Sequence, residues 1–157
     1  MSGIFVDPNK TFPISIYYRE REDEFGNLEC VEVSDEPEDG WEEIVGQFIQ
    51  PSGSAMSGIL ENATIINHIS TKPVLRTSAM MDGVLLHLMT EWHHILSDGE
   101  KDPLPKDPAA IAQIHFNIRQ RLFVTYMRKT KMKSVLKNAI QEEVRTGGVS
   151  QNASLDS

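Results

Sequence analysis

The sequence predicts an α+β fold: an N-terminal β-hairpin or small sheet followed by a helical part of two to four helices. Three observations carry this. Residues 12–33 pair apolar and polar side chains at near-alternating positions around a Gly-Asn turn. Residues 78–97 repeat apolar side chains at steps of four, three, four and three. A third segment opens on Asp107-Pro108, a capping residue before a proline suited to the first helical position. Strands grouped ahead of helices point to α+β rather than to alternating βαβ units.

After an irregular lead-in, Ile14, Ile16 and Tyr18 share one side of an extended run. β-branched and aromatic residues favour a strand there, with Pro13 near its start or on an edge. Phe25-Gly26-Asn27 is a turn signal, and Leu28 to Val33 alternates imperfectly as the second strand. Ser34 to Gly40 is a loop. Trp41 to Gln50 fits a third strand or a short helix, and its period does not decide between them. Met56 to Ile69 has mostly helical spacing, with Ile59, Leu60, Ala63, Ile66 and Ile69 in step.

The strongest amphipathic pattern is residues 78–97. Met81, Leu85, Leu88, Trp92 and Ile95 form a stripe, and Asp98-Gly99 ends it, so a helix of about five turns is expected. From Pro108 to about Lys131, Ile111, Ile114, Ile118, Leu122 and Tyr126 form another, with Phe123 and Met127 beside it. Met132 to Val144 can continue that helix up to Gly147-Gly148. The expected organisation is a single domain over 1–148, β-rich over 1–50 and helical over 56–145, with 149–157 as a disordered tail.

The chain of 157 residues carries a net charge of −8, with a strong asymmetry. Residues 1–48 hold 13 acids and three bases, whereas 119–145 hold eight bases and two acids. The two ends are either two solvated faces or surfaces that attract, within one chain or between chains, more strongly at low salt. The acidic balance argues against a general nucleic-acid binder, because phosphate neutralisation needs clustered Lys and Arg. The one basic cluster, Arg119, Arg121, Arg128, Lys129, Lys131 and Lys133, provides candidate contacts to nucleic acid or to an acidic partner. A single cysteine, Cys30, excludes an intramolecular disulfide and a multi-cysteine zinc site. No apolar run is long enough to span a bilayer, and Met1 to Lys10 lacks the pattern of a secretory signal, so a cytoplasmic location is expected.

No carboxylate pair, triad or phosphate loop stands out, and the expectation is a non-enzymatic chain without a cofactor or metal. On the expected helix, His87, Glu91 and His94 share a polar face and form the best candidate metal set, but a solvated surface explains them more simply. His68 fits local hydrogen bonding, and His115 fits packing beside the second stripe. Cys30 is assigned to packing. Methionines near the helical stripes, including Met80, Met81, Met89, Met127 and Met132, suit either a core or an adaptable binding surface.

One stretch resembles a known family. Trp41-Glu42-Glu43-Ile44, Ile59 through Asn67, and Lys72-Pro73-Val74-Leu75-Arg76-Thr77 lead into a segment containing Glu91-Trp92, an acidic proline-containing loop and a further helix. Over residues 41–128 this order is similar to that of the tail-assembly chaperones of tailed bacteriophages. The resemblance implies a host-cytoplasmic assembly protein that coats a long helical tape-measure protein and yields to tail-tube subunits; the expected role is binding such a partner or self-associating. It assigns partner contacts to exposed members of the stripes, for which the candidates are Met80, Met89, Phe123 and Met127. A permanent virion component and a nucleic-acid-associated regulator are the alternatives.

Overall fold

A computed structural model describes residues 5–66 and 72–132. The fold is mixed α+β, with a five-stranded antiparallel sheet of order β2-β1-β3-β6-β7. Its strands are β1 (Thr11–Glu22), β2 (Leu28–Ser34), β3 (Glu42–Ile49), β6 (Met89–Ile95) and β7 (Lys101–Pro103). A second pair, β4 (Thr64–Ile66) and β5 (Pro73–Leu75), is also antiparallel. The helices are α1 (Gly53–Ala63), α2 (Thr77–His87), α3 (Pro108–Gln113) and α4 (Phe116–Thr130).

β1 forms because its alternation gives one side to the core. Ile14 and Ile16 are fully buried, while Ser15 and Tyr17 face the other way. β3 resolves residues 41–50 as a strand, with Ile44 and Phe48 buried and Gly46 between them. In register, Ile14 lies opposite Gly46 and Ile16 opposite Ile44. The expected hairpin is present. Asp23 Oδ1 accepts from the backbone of Phe25 and of Asn27 at 2.9 Å, and Gly26 turns at φ 79°. Those backbone donors, Asn27 first, hold the Asp23 carboxyl below its ordinary pKa.

The long helix expected over 78–97 is corrected. α2 ends at His87, Leu88 caps it, and the chain continues as β6 beside β3. Met89 and Trp92 are both buried, with Thr90 and Glu91 exposed between them. A register shift opposite Gln47/Phe48 places Met89 against Phe48 and Glu91 against Gln47. Apolar residues three apart in this strand therefore reproduce helical spacing. Pairing with β3 overrides the local preference.

Two other helices are shorter than expected. α1 starts one turn early, capped by Ser52 Oγ, which accepts from Ala55 N at 3.2 Å, and gives way to β4 at Thr64. Thr64, Ile65 and Ile66 pair with Leu75, Val74 and Pro73 instead of continuing the helix. The remainder of the expected segment, 67–69, lies outside the described residues. The helix expected from Pro108 to Lys131 is broken. Asp107 caps α3 as predicted, accepting from Ala110 N at 2.8 Å, but Ile114 and His115 are extended. His115 is exposed rather than packed, and its Nδ1 accepts from Asn117 N at 3.3 Å as the cap of α4. Lys131 ends α4 in the left-handed conformation, φ 55°. The expected continuation past Met132 and the expected tail lie outside the described residues.

One core joins these parts. Phe48 and Phe12 from the sheet and Tyr126 from α4 form an aromatic cluster with ring centroids 5.1–6.3 Å apart. Tyr126 Oη donates to Ile49 O at 2.9 Å. The loop before α3 is fastened by three bonds: Leu104 N to Trp92 O, Trp92 Nε1 to Pro105 O at 2.8 Å, and Lys106 Nζ to Leu86 O at 2.7 Å. Burial lowers the Lys106 pKa from its ordinary value. Among the described residues, no helix is long and apolar enough to cross a membrane.

Candidate functional site

Most of the methionines belong to the core. Met80, Met81, Met89 and Met132 are buried, as is Phe123, and Met127 is half-buried. The expectation that Met80, Met89 and Phe123 are exposed is therefore corrected. Flexible thioethers pack there among Ile59, Val84, Leu85 and Leu88.

The candidate metal set does not converge. His87 lies at the end of α2, while Glu91 and His94 lie on β6. Three apart in a strand, Glu91 and His94 point to opposite sides of the sheet. His94 stands instead 3.6 Å from Glu42 Oε1 and beside the Tyr18 ring. Among the described residues, no group of three or more His, Cys, Asp or Glu side chains is placed to hold a metal ion. His68 lies outside the described residues, and Cys30 is half-buried on β2.

The basic cluster is divided. Arg119 donates to Asp82 at 2.9 Å and lies over the Phe116 ring. Arg121 and Arg128 both reach Asp35 Oδ2, at 3.3 and 3.4 Å, and Thr125 Oγ1 donates to Asp35 Oδ1 at 3.4 Å. Asp35 is thus a junction where the acidic N-terminal half meets the basic helix. Lys129 and Lys131 are exposed, and Lys133 lies outside the described residues. Arg–Asp35 pairs at a solvated surface contribute little each. Asp35→Ala is expected to lower stability by about 1 kcal/mol in dilute buffer and by less in high salt, measured by urea unfolding at both ionic strengths. No salt dependence of that difference would contradict the assignment.

Apart from Phe5, Val74 and Leu96, the exposed large apolar side chains among the described residues fall on two surfaces. The first is the outward side of α4. Phe116, Gln120, Val124 and Arg128 recur every four residues and so share one strip. Phe116 is 51% exposed and Val124 46%, and Met127 adjoins them. Arg128 and Lys131 lie at the C-terminal end of this strip. The helix therefore has two apolar faces: a broad one in the core around Leu122 and Tyr126, and a narrow one outside.

The second surface is the hairpin arm. β3 pairs with β1 only as far as Tyr18, so residues 19–32 continue beyond it as a two-stranded arm. Its tip carries Phe25, 79% exposed, and Leu28, 54% exposed. Arg19 and Arg21 brace the arm against Glu32, with Arg19 Nε 2.6 Å from its carboxylate. The bond from Arg19 holds the Glu32 carboxyl below its ordinary pKa. Arg19 also covers the Trp41 ring at 5.0 Å. Glu22, Asp23, Glu24 and Glu29 surround the tip, with no basic residue from 22 to 29.

Of the residues on these two surfaces, sequence reasoning singled out Met127 and the basic end of α4 but not Phe116, Val124, Phe25 and Leu28. The signal for the first pair was their eight-residue spacing, two turns apart and off the core stripe of Ile118, Leu122 and Tyr126. For the second pair it was two large apolar residues flanking Gly26-Asn27 in an otherwise charged segment. In comparisons with known proteins, no family model, curated protein or solved structure matches the chain.

Proposed function

We propose that this chain is a non-enzymatic assembly protein that binds other proteins through the outward side of α4. The observation that carries the reading is the exposed strip of Phe116, Val124 and neighbouring Met127, bordered by Arg128 and Lys131. A helix already anchored by Leu122 and Tyr126 presents this strip on a rigid support. Apolar side chains two turns apart on one side of the helix suit an amphipathic partner helix, and the bordering cations suit acidic residues flanking it. The resemblance to tail-assembly chaperones makes that partner a long tape-measure protein coated in the host cytoplasm before tail-tube subunits replace the coat. Burial of Met80, Met89 and Phe123 moves the partner contacts to this strip. The engagement of Arg119 and Arg121 with Asp82 and Asp35 favours a protein over nucleic acid as the partner.

Coexpression with each neighbouring gene, followed by affinity purification, light scattering and mass spectrometry, tests this reading. The expected result is a salt-resistant complex with one long, helix-rich chain that Val124→Asp abolishes without lowering the unfolding temperature. A complex indifferent to Val124→Asp overturns the assignment of the surface. Recovery of nucleic acid that dissociates at moderate salt, with no protein partner, overturns the function.

A further inference from the structure

We infer that the hairpin arm is a self-association element, and that its tip docks on the basic end of the α4 strip of a second copy. The inference rests on reading α4 as a docking face and adds a specific occupant.

Asp35 meets the basic helix, but the acidic tip of the arm and the C-terminal end of α4 lie at opposite ends of the fold. Asn117, at the start of α4, donates to Val31 O at 2.7 Å, while Arg121 and Arg128 further along reach Asp35. α4 therefore runs in the same direction as β2. The arm extends the other way, about 15 Å past the Val31 contact at the usual rise of a strand. Arg128 lies about 16 Å from Asn117 along the helix. The tip and the cations at Arg128 and Lys131 are thus separated by about 30 Å along these elements. The arm cannot reach its own basic end, but a second copy has no such restriction.

The two surfaces are complementary in charge and in polarity. The tip offers Phe25 and Leu28 beside Glu22 and Glu24, while Glu29 is paired with Arg21 at 3.7 Å. The strip offers Val124 and Met127 beside Lys131 and Arg128, the latter still largely exposed although it reaches Asp35 at 3.4 Å. Opposite charges bordering apolar contacts steer the encounter and set its orientation. The contact uses different surfaces on its two members, so it is head-to-tail and generates a ring or an open chain. With two apolar side chains on each member and charges at a solvated border, each contact is weak and the assembly depends on concentration and salt.

The test uses the full-length chain and two variants in light scattering and sedimentation. The arm variant is Phe25→Ser with Leu28→Ser, and the face variant is Val124→Asp with Arg128→Glu. Circular dichroism confirms that both fold. The wild type is expected to form species larger than 17.7 kDa that shrink with added salt. Each variant alone is expected to remain a monomer. Mixed, they form a complex that stops at two chains, because only one intact arm and one intact face remain. Wild-type monomer at all concentrations and salts overturns the inference. So does an oligomer untouched by either variant, or a mixture that stays monomeric although the wild type associates, which indicates a two-fold symmetric contact. If self-association fails while a helical peptide still binds α4, only the role of the arm falls. If the peptide also fails, the α4 reading falls with it.

Discussion

Tyr126→Ala is expected to lower stability by roughly 3–5 kcal/mol, the range for removing a large buried aromatic side chain. Tyr126 is fully buried, contacts Phe12 and Phe48, and ties α4 to the sheet through Ile49. Tyr126→Phe retains the rings and loses the hydrogen bond, at about 1–2 kcal/mol. Urea unfolding of the three proteins measures both differences. A Tyr126→Ala loss no greater than that of Tyr126→Phe would show that α4 is not anchored here. The same residue gives a pH dependence. Burial raises the Tyr126 pKa in the folded chain above its unfolded value of 10.0. The neutral phenol is therefore favoured by folding. Its contribution is complete below about pH 10 and declines as pH rises through the higher folded value. Phenolate absorbance and circular dichroism followed together in alkali should show Tyr126 ionising with unfolding. Ionisation of all three tyrosines near the ordinary value in the folded protein would contradict this.

Gly46→Val is expected to lower stability by about 3 kcal/mol, near the upper end of ordinary overpacking effects. A Cβ at this position would lie 2.8 Å from the Phe48 ring and 3.0 Å from Met89 Sδ. Neither can withdraw easily, since both are fully buried. Gly46 is paired with Ile14 on one side and Trp92 on the other, at the centre of the sheet. Its missing side chain makes room for Phe48, which in turn meets Tyr126. Gly46→Val combined with Phe48→Leu should recover part of the loss, because neighbouring substitutions sharing one space couple. Thermal unfolding of the single and double variants measures the coupling. Simple additivity would place the strain elsewhere.

The hairpin and the Asp107 cap were legible because their information is local. Alternation across Ile14 and Ile16, the Gly26-Asn27 turn and the Asp107-Pro108 pair each specify structure within a few residues. β6 was hidden by its own irregularity. The register shift sets Met89 and Trp92 three apart on the core side, and Leu85, Leu88 and Trp92 then imitate one helical stripe. Only the need of β3 for a second neighbour distinguishes the two, and that is a tertiary fact. The α3–α4 break was hidden for a related reason: Ile111, Ile114 and Ile118 keep helical spacing across a backbone that is extended at Ile114 and His115. The exposed strip of α4 was partly legible. The basic end of α4 and Met127 stood out by charge and by type. Phe116 and Val124 were missed because apolar residues on a helix were read as one stripe rather than two opposed ones.

The central claim is that the outward side of α4 accepts a protein helix. Its most direct test is fluorescence anisotropy with a labelled amphipathic peptide, apolar on one side and flanked by glutamates. The wild type is predicted to bind it, Phe25→Ser to bind it equally, and Val124→Asp to bind at least about tenfold more weakly, a difference of about 1.4 kcal/mol. No binding by the wild type, or equal binding by Val124→Asp, would contradict the account.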